Sequence, residues 1–217
     1  MSIILDEEER ELRAKMAVCR RSISEDQMRK FENYAAEIFA AFGLDLNDPA
    51  VRETPKRFIT ALAEVTSGFE GDPKLIKIFE TECRGGSDCR LAQTVEGPIQ
   101  FFSLCEHHAL PFHGNAYVGY IAHEHILGIS KLTRLVRMFA NRFTLQERIG
   151  RQIADALEAM LKPHGVAVYL EAFHLCTQMR GVREVSPRAH TTYWRGEYDN
   201  NPSLRAEFLE VCKLQRA

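Results

Sequence analysis

The stretch SLCEHHALPFHG (103–114) sets Cys105, Glu106, His107 and His108 side by side between apolar residues that otherwise read as a strand. Cys105-x-x-His108 has the spacing of half a zinc site. A catalytic zinc takes three protein ligands and keeps its fourth position open to water, so a third ligand must come from elsewhere. Among the six cysteines (19, 83, 89, 105, 176 and 212), Cys176 stands out. In GVAVYLEAFHLC (165–176), strand alternation puts Val166, Val168, Leu170, Ala172, His174 and Cys176 on one face. Zinc held by Cys105, His108 and Cys176 would have His107 and His174 nearby, both able to move protons. Plainer readings exist for each residue. A cysteine on an apolar strand is usually packing, and Glu106, the next residue along, can simply face the other way. The Cys-Glu-His-His cluster as a whole gains nothing as packing. Cys83 and Cys89 flank Gly85-Gly86 with no histidine near them and read as unligated thiols; Cys19 and Cys212 carry no signal.

Two further segments have chemical potential. In GISKLTRLVRMFANR, Ser130 sits where a helix begins, with Lys131 and Arg134 in its first turn. A helix N-terminus offers free N–H groups and partial positive charge to phosphate oxygens. The competing reading is an N-cap serine with solvated basic residues, although those residues sit where the dipole disfavours them. Arg180, just beyond Cys176, has the fork geometry for a bidentate phosphate contact. In TLQERIG, Thr144 and Glu147 have the spacing of a capping box. Glu147 equally suits a ligand with adjacent N–H donors, such as the Watson–Crick edge of guanine, and spacing does not choose between the two.

The elements that must position these groups are readable in outline. Ser24 with Gln27 forms a capping box before Phe31, Tyr34, Ala35, Ile38, Phe39 and Phe42 at helical spacing, and Gly43 marks the stop. A weaker helix is expected from residue 5 to about 18, and Thr54-Pro55 starts another that runs to about Thr66. Short strands are expected at about 99–105 and 114–122, helices from about Ser130 to Asn141 and Thr144 to Leu161, a strand at 165–176, a β-like piece near 190–195 and a helix near 203–213. Strand pairs flanking two helices indicate an α+β fold with an antiparallel sheet.

Bulk composition narrows the classes. The 217 residues are 45% hydrophobic and 27% charged, with a formal net charge of −2. No general positive field attracts nucleic acid, so any anion site must be local. No apolar run reaches the ~20 residues of a membrane span. The N-terminus turns acidic after five residues, unlike a secretory signal. The expectation is a cytoplasmic protein with reduced thiols.

Together these segments resemble the GTP cyclohydrolase I family. The resemblance rests on ETPKR (53–57), SLCEHHALPFHG (103–114), YVGYIA (117–122), LGISKLTRLV (127–136), QERI (146–149), QIADAL (152–157), GVAVYLEAFHLC (165–176) and MRGV (179–182), in order from about residue 45 to 210. It implies a tunnelling fold: a four-stranded antiparallel sheet with two helices on one face, preceded by a helical arm, with the arm at 1–70 and the catalytic domain at 71–217. It also implies a decamer of two pentameric rings with active sites between subunits. The implied zinc ligands are Cys105, His108 and Cys176, and the implied proton-transfer residues are His107 and His174. Gln146 and Glu147 would grip guanine. Ser130, Lys131, Arg134 and Arg180 would contact the ribose and triphosphate, with Arg57 helping from a neighbouring chain. The implied reaction opens the imidazole ring of GTP at C8, releases formate and yields 7,8-dihydroneopterin triphosphate, for folate or tetrahydropterin synthesis. Two rivals are a paralogous ring-opening enzyme of a specialised pterin or deazapurine pathway, and a zinc-stabilised nucleotide-binding assembly protein without turnover. The sequence departs from the family at AHTTYWRGEY (189–198), where His190, Tyr193 and Trp194 are unusual, and at Thr60, where some members carry lysine.

Overall fold

Capping chemistry starts the first helix as expected. Ser24 Oγ accepts from the Gln27 N–H at 3.2 Å, and Gln27 Oε1 accepts from the Ser24 N–H at 2.9 Å. Helix α1 (Glu25–Ala41) carries Glu25 and Asp26 in its first turn, where the helix dipole favours acids. Gly43, at φ 95°, follows its end in the left-handed region. Helix α2 (Thr54–Val65) opens with Pro55, whose missing N–H costs nothing there. The two helices pack through apolar stripes, with Phe39 and Phe58 edge to face at 5.2 Å. Phe42 is 90% exposed and Ile38 55% exposed on this arm. The computed structural model describes residues 14, 16, 18, 19, 21–75, 78–81 and 93–215. The helix expected from residue 5 falls almost wholly outside these, as do Cys83, Gly85, Gly86 and Cys89.

The chain then forms a short ribbon, β1 (Phe79–Glu80) against β4 (His125–Ile126), and a larger sheet. The sheet contains β2 (Gln93–Cys105), β3 (Pro111–Ile121), β5 (Phe143–Thr144), β6 (Gly165–His174) and β7 (Ala189–Gly196), in the order β5-β2-β3-β6-β7. The four long strands are all antiparallel. Their lengths exceed the short runs expected for β2 and β3. A fifth, two-residue strand was not expected: β5 lies parallel to the end of β2, with Leu104 opposite Phe143 and Cys105 opposite Thr144.

Helices α3 (Ser130–Ala140) and α4 (Gln146–Leu161) cover one sheet face. Period-2 alternation supplies that core: Ile99 and Phe101 from β2, Phe112, Ala116 and Val118 from β3, and Val166, Val168 and Leu170 from β6 meet Leu132, Leu135, Phe139, Ile149, Ile153 and Leu157. The opposite face is also partly covered, which the two-helix expectation omitted. Tyr117, Ile121, Ala167 and Tyr169 meet Tyr198 and Phe208, brought in by α6 (Glu197–Asn200) and α7 (Pro202–Leu214). Burial on both sides explains why Tyr117 and Val118, adjacent in sequence, are both fully buried. Trp194 belongs to this second layer, packing edge to face on Phe208 at 5.7 Å. The bulk of that unusual segment is therefore used within the chain.

Gly150 lets α4 lie close to the sheet. A Cβ there would meet the Tyr193 ring at 2.5 Å and the Leu170 side chain at 2.9 Å. Gly150→Ala gains about 1 kcal/mol of helix propensity but overpacks a filled interior at a cost of ~1–3 kcal/mol. The expected outcome is a lower Tm in thermal unfolding; a higher Tm would show that Tyr193 moves aside freely.

Candidate active site

Cys105 is the last residue of β2, and its backbone closes the turn that follows. The Ala109 N–H donates to Cys105 O at 2.8 Å, and the Cys105 N–H donates to Leu110 O at 2.9 Å. Ala109 takes a left-handed conformation, φ 54°, to complete the reversal. The turn folds His108 back, so that its Nδ1 lies 3.8 Å from Cys105 Sγ. Strand β6 delivers His174 at its last position, opposite Phe112. Val166, Val168, Leu170 and Ala172 share the expected face, but Cys176 does not continue the strand. It sits in a helical turn, α5 (Leu175–Gln178), which swings the thiol towards the β2–β3 turn. The potential ligand atoms of Cys105, His108 and Cys176 all lie within 4.8 Å of one another. The three residues form a group able to hold a metal ion.

The electrostatics suit a cation. Burial pushes the Cys176 thiol above its ordinary value, the neighbouring Cys105 pushes it further, and Arg180 opposes the shift. The Cys176 thiol therefore resists ionisation, and a dication beside it reverses that preference. Burial also pushes His174 below the usual imidazole range, opposed by the carboxylate of Glu147. The His174 ring lies flat on Phe112, with centroids 4.6 Å apart and planes at 4°.

Helix α4 ends its N-terminus against this cluster. The capping box expected from Thr144 and Glu147 does not form: Leu145 occupies the N-cap position and no side chain caps the helix. Thr144 is instead drawn into β5. Glu147 is exposed and its charge is felt at His174 and at Tyr193. Gln146 is 1% exposed, with Oε1 2.9 Å from His174 Nε2. Arg148 donates to both carboxylate oxygens of Glu106, one at 2.9 Å, and holds that carboxyl below its usual range. Glu106 thus fastens the Cys-Glu-His-His turn to α4. His107 is exposed on the same turn, edge-on to His108 with centroids 6.1 Å apart.

Ser130 and Arg134 lie elsewhere in the chain. They line a polar groove of about 480 Å³ with Asp72, Thr133 and Arg137, and none of the cluster's residues borders it. Ser130 does not cap its helix; the N-cap position belongs to Ile129. Lys131, the next residue, is half-buried. Arg134 Nη1 donates to Asp72 Oδ2 at 3.1 Å. Arg57 and Thr60 are exposed on α2.

Several residues at these sites gave no sequence signal. Phe112 sits beneath His174 through strand register alone. Thr191, within the unusual 189–198 segment, accepts from Gln146 Nε2 at 3.3 Å. Asp72 meets Arg134 across 62 positions. Nothing local in the sequence marks any of these pairings.

Comparison with known proteins places the chain among relatives. The GTP cyclohydrolase I family profile matches residues 31–213. GTP cyclohydrolase 1 of Helicobacter pylori is 37% identical over 185 residues, covering 84% of this chain and 99% of that protein. The Deinococcus radiodurans protein of the same name is 38% identical, covering 87% of this chain and 85% of its own length. That of Leptospira biflexa is also 38% identical, covering 84% and 97%. A solved apo structure of the archaeosine synthase QueF-Like aligns over 49% of this chain and 93% of its own, at 17% identity and a TM-score of 0.37. With a profile match through nearly all of the described fold and relatives of similar length at this identity, the chain belongs to the GTP cyclohydrolase I family.

Proposed function

We propose that this protein is a zinc-dependent GTP cyclohydrolase I. The observation that carries the reading is the meeting of Cys105, His108 and Cys176 beside His174 and the first turn of α4. The donor set, two thiols and an imidazole, fits zinc. Among the described residues the group has three ligands, which suits a catalytic rather than a closed structural site. Zinc held there supplies Lewis acidity that makes water acidic enough to act as a nucleophile near neutral pH.

The chain's own residues account for the remaining needs. C8 of guanine is a poor electrophile until N7 is protonated, and exposed His107 is placed on the ligand turn to donate that proton. Water then adds at C8, the imidazole ring opens to a formamide, and hydrolysis releases formate. His174 shuttles protons in these steps. The ribose rearranges and closes the pterin ring of 7,8-dihydroneopterin triphosphate. We assign guanine recognition to the first turn of α4, with the exposed Glu147 carboxylate accepting from N1–H and the 2-amino group and the buried Gln146 side chain supporting that turn from within. Arg180, whose charge is felt at Cys176, extends the pocket towards the phosphates. Ser130, Lys131 and Arg134 bind ribose and triphosphate, and that binding energy holds C8 at the reacting position.

The same reading includes a tunnelling fold, a helical arm at 1–70, a catalytic domain at 71–217 and a decamer of two pentamers. Three observations support shared sites and assembly. The Ser130–Arg134 groove excludes the cluster residues. Among the described residues, strand β7 has a partner on one side only and β2 is flanked by β5 only at its end, which leaves edges for strand addition. The arm exposes Ile38 and Phe42. Among the described residues no helix is long and apolar enough to cross a membrane.

The test is incubation with GTP, assay of formate and identification of the product by mass and by fluorescence after oxidation. His107→Ala should lower turnover by about 10²–10⁴-fold. Full activity in the variant would remove the assigned acid. No product from the parent would favour the assembly protein, and a different product the specialised paralogue.

A further inference from the structure

Gln146 is nine-tenths buried and more, yet its side chain is surrounded by polar partners from three elements. Its Nε2 lies 3.0 Å from Ala189 O and 3.3 Å from both Leu170 O and Thr191 Oγ1, three acceptors that share its two N–H groups. Its Oε1 lies 2.9 Å from His174 Nε2. The two ends of an amide look alike in shape but not in chemistry: the nitrogen only donates and the oxygen only accepts. Backbone carbonyls also only accept. The amide nitrogen must therefore face Leu170 and Ala189, because the flipped amide would set oxygen against two carbonyl oxygens. That leaves the amide oxygen facing His174. An oxygen cannot donate, so His174 Nε2 must carry the proton.

We infer that Gln146 is a positioning residue that fixes the neutral His174 ring as the Nε2–H tautomer and leaves Nδ1 as its one proton-accepting atom. The inference rests on the proposed role of His174 in proton transfer and adds the atom through which it works. Stacking on Phe112 sets the plane of the ring but leaves open a half-turn about Cβ–Cγ that exchanges its two edges. The hydrogen bond to Gln146 removes that freedom. The three acceptors behind the amide keep it from rotating in turn, and they come from β6 and from the 189–191 stretch of β7. The unusual strand thus reaches the site by holding Gln146 through Ala189 and Thr191. Glu147, the next residue, is exposed with its charge felt at His174 while Gln146 is turned inward, so neighbouring positions of one helical turn divide two tasks.

The experiment uses the zinc-loaded protein with ¹⁵N-labelled histidine. Imidazole nitrogen shifts and their couplings to ring protons report the tautomer, and the His174 signals are those lost in His174→Gln. The expected result in the parent is a neutral His174 protonated at Nε2 and bare at Nδ1. In Gln146→Leu the preference should relax to a mixture, with kcat for GTP lower by about 10–100-fold and KM changed by less than about threefold. Gln146→Glu retains an acceptor towards His174 and should retain the tautomer, with a lower Tm because its second oxygen faces carbonyls. A parent His174 protonated at Nδ1 overturns the inference. So does a Gln146→Leu protein in which KM rises and kcat is unchanged, since that marks a grip on the base alone, and so does Gln146→Glu with the relaxed tautomer of Gln146→Leu. The parent measurement needs neither a folded variant nor turnover. A parent that fails to convert GTP therefore refutes the proposed activity, while the tautomer still decides the role of Gln146.

Discussion

Cys176→Ser should yield a folded protein that loses zinc on dialysis and turns over GTP at least about 100-fold more slowly. Partners that merely orient a metal ligand are worth 10–100-fold in affinity or activity, and loss of the ligand itself should exceed that range. Serine fits the space of the thiol, which is 6% exposed, so the fold has little reason to change. A hydroxyl, however, does not ionise near neutral pH and cannot replace a thiolate donor. Metal analysis, circular dichroism and the formate assay together check this result. A variant that kept both zinc and turnover would remove Cys176 from the site. Metal uptake should also weaken as pH falls, because protons compete for the thiolates, and burial together with Cys105 already holds the Cys176 thiol high before a cation arrives.

Arg142→Met should destabilise the protein by about 2 kcal/mol or more, since a buried carbonyl left without a partner costs ~1–3 kcal/mol, and Met16 O and Met138 O lose theirs while Gly68 O keeps the Gly71 N–H. Arg142 is 2% exposed and joins three parts of the chain. Its Nη2 donates to Met16 O at 2.9 Å and Gly68 O at 2.8 Å, and its Nε donates to Met138 O at 3.1 Å. The guanidinium also lies 4.9 Å from the Phe69 ring centroid and 5.0 Å from that of Phe139. Burial lowers its pKa to about 10, which leaves it charged at neutral pH. Methionine fills the volume and keeps the aromatic contacts but satisfies none of the three carbonyls. At roughly 2–4 °C per kcal/mol for a chain of this size, the Tm should fall by about 4–8 °C or more. Lysine should not rescue it, because a single ammonium does not reproduce the planar fork. A change of less than about 2 °C would show that these carbonyls find water instead.

The two capping boxes show where local reading succeeds and where it stops. Ser24 and Gln27 face no competing partner and form both expected bonds. Thr144 and Glu147 have equal local spacing, but Thr144 pairs with Cys105 across β5. That competing contact lies far away in sequence, and Glu147 is left exposed. Cys176 gives the same lesson. Alternation places Val166, Val168, Leu170 and Ala172 correctly, and the chain then turns helical at Leu175. The thiol arrives at the cluster by a different path from the one alternation predicts.

By itself the amino-acid sequence determined the elements whose signals are local: the Cys105-x-x-His108 spacing, the amphipathic helices, the alternation along the strand that begins at Gly165, and the motif set that marks the family. Such features depend on spacing of a few residues and on backbone periodicity, which survive in one dimension. Only the tertiary structure decided which distant groups meet. Strand register laid His174 on Phe112, the approach of α4 turned Gln146 inward and left Glu147 outward, and the last helices closed the second sheet face. Those outcomes depend on packing and on satisfying buried hydrogen-bonding groups across many turns of chain, and no short stretch of sequence contains both partners.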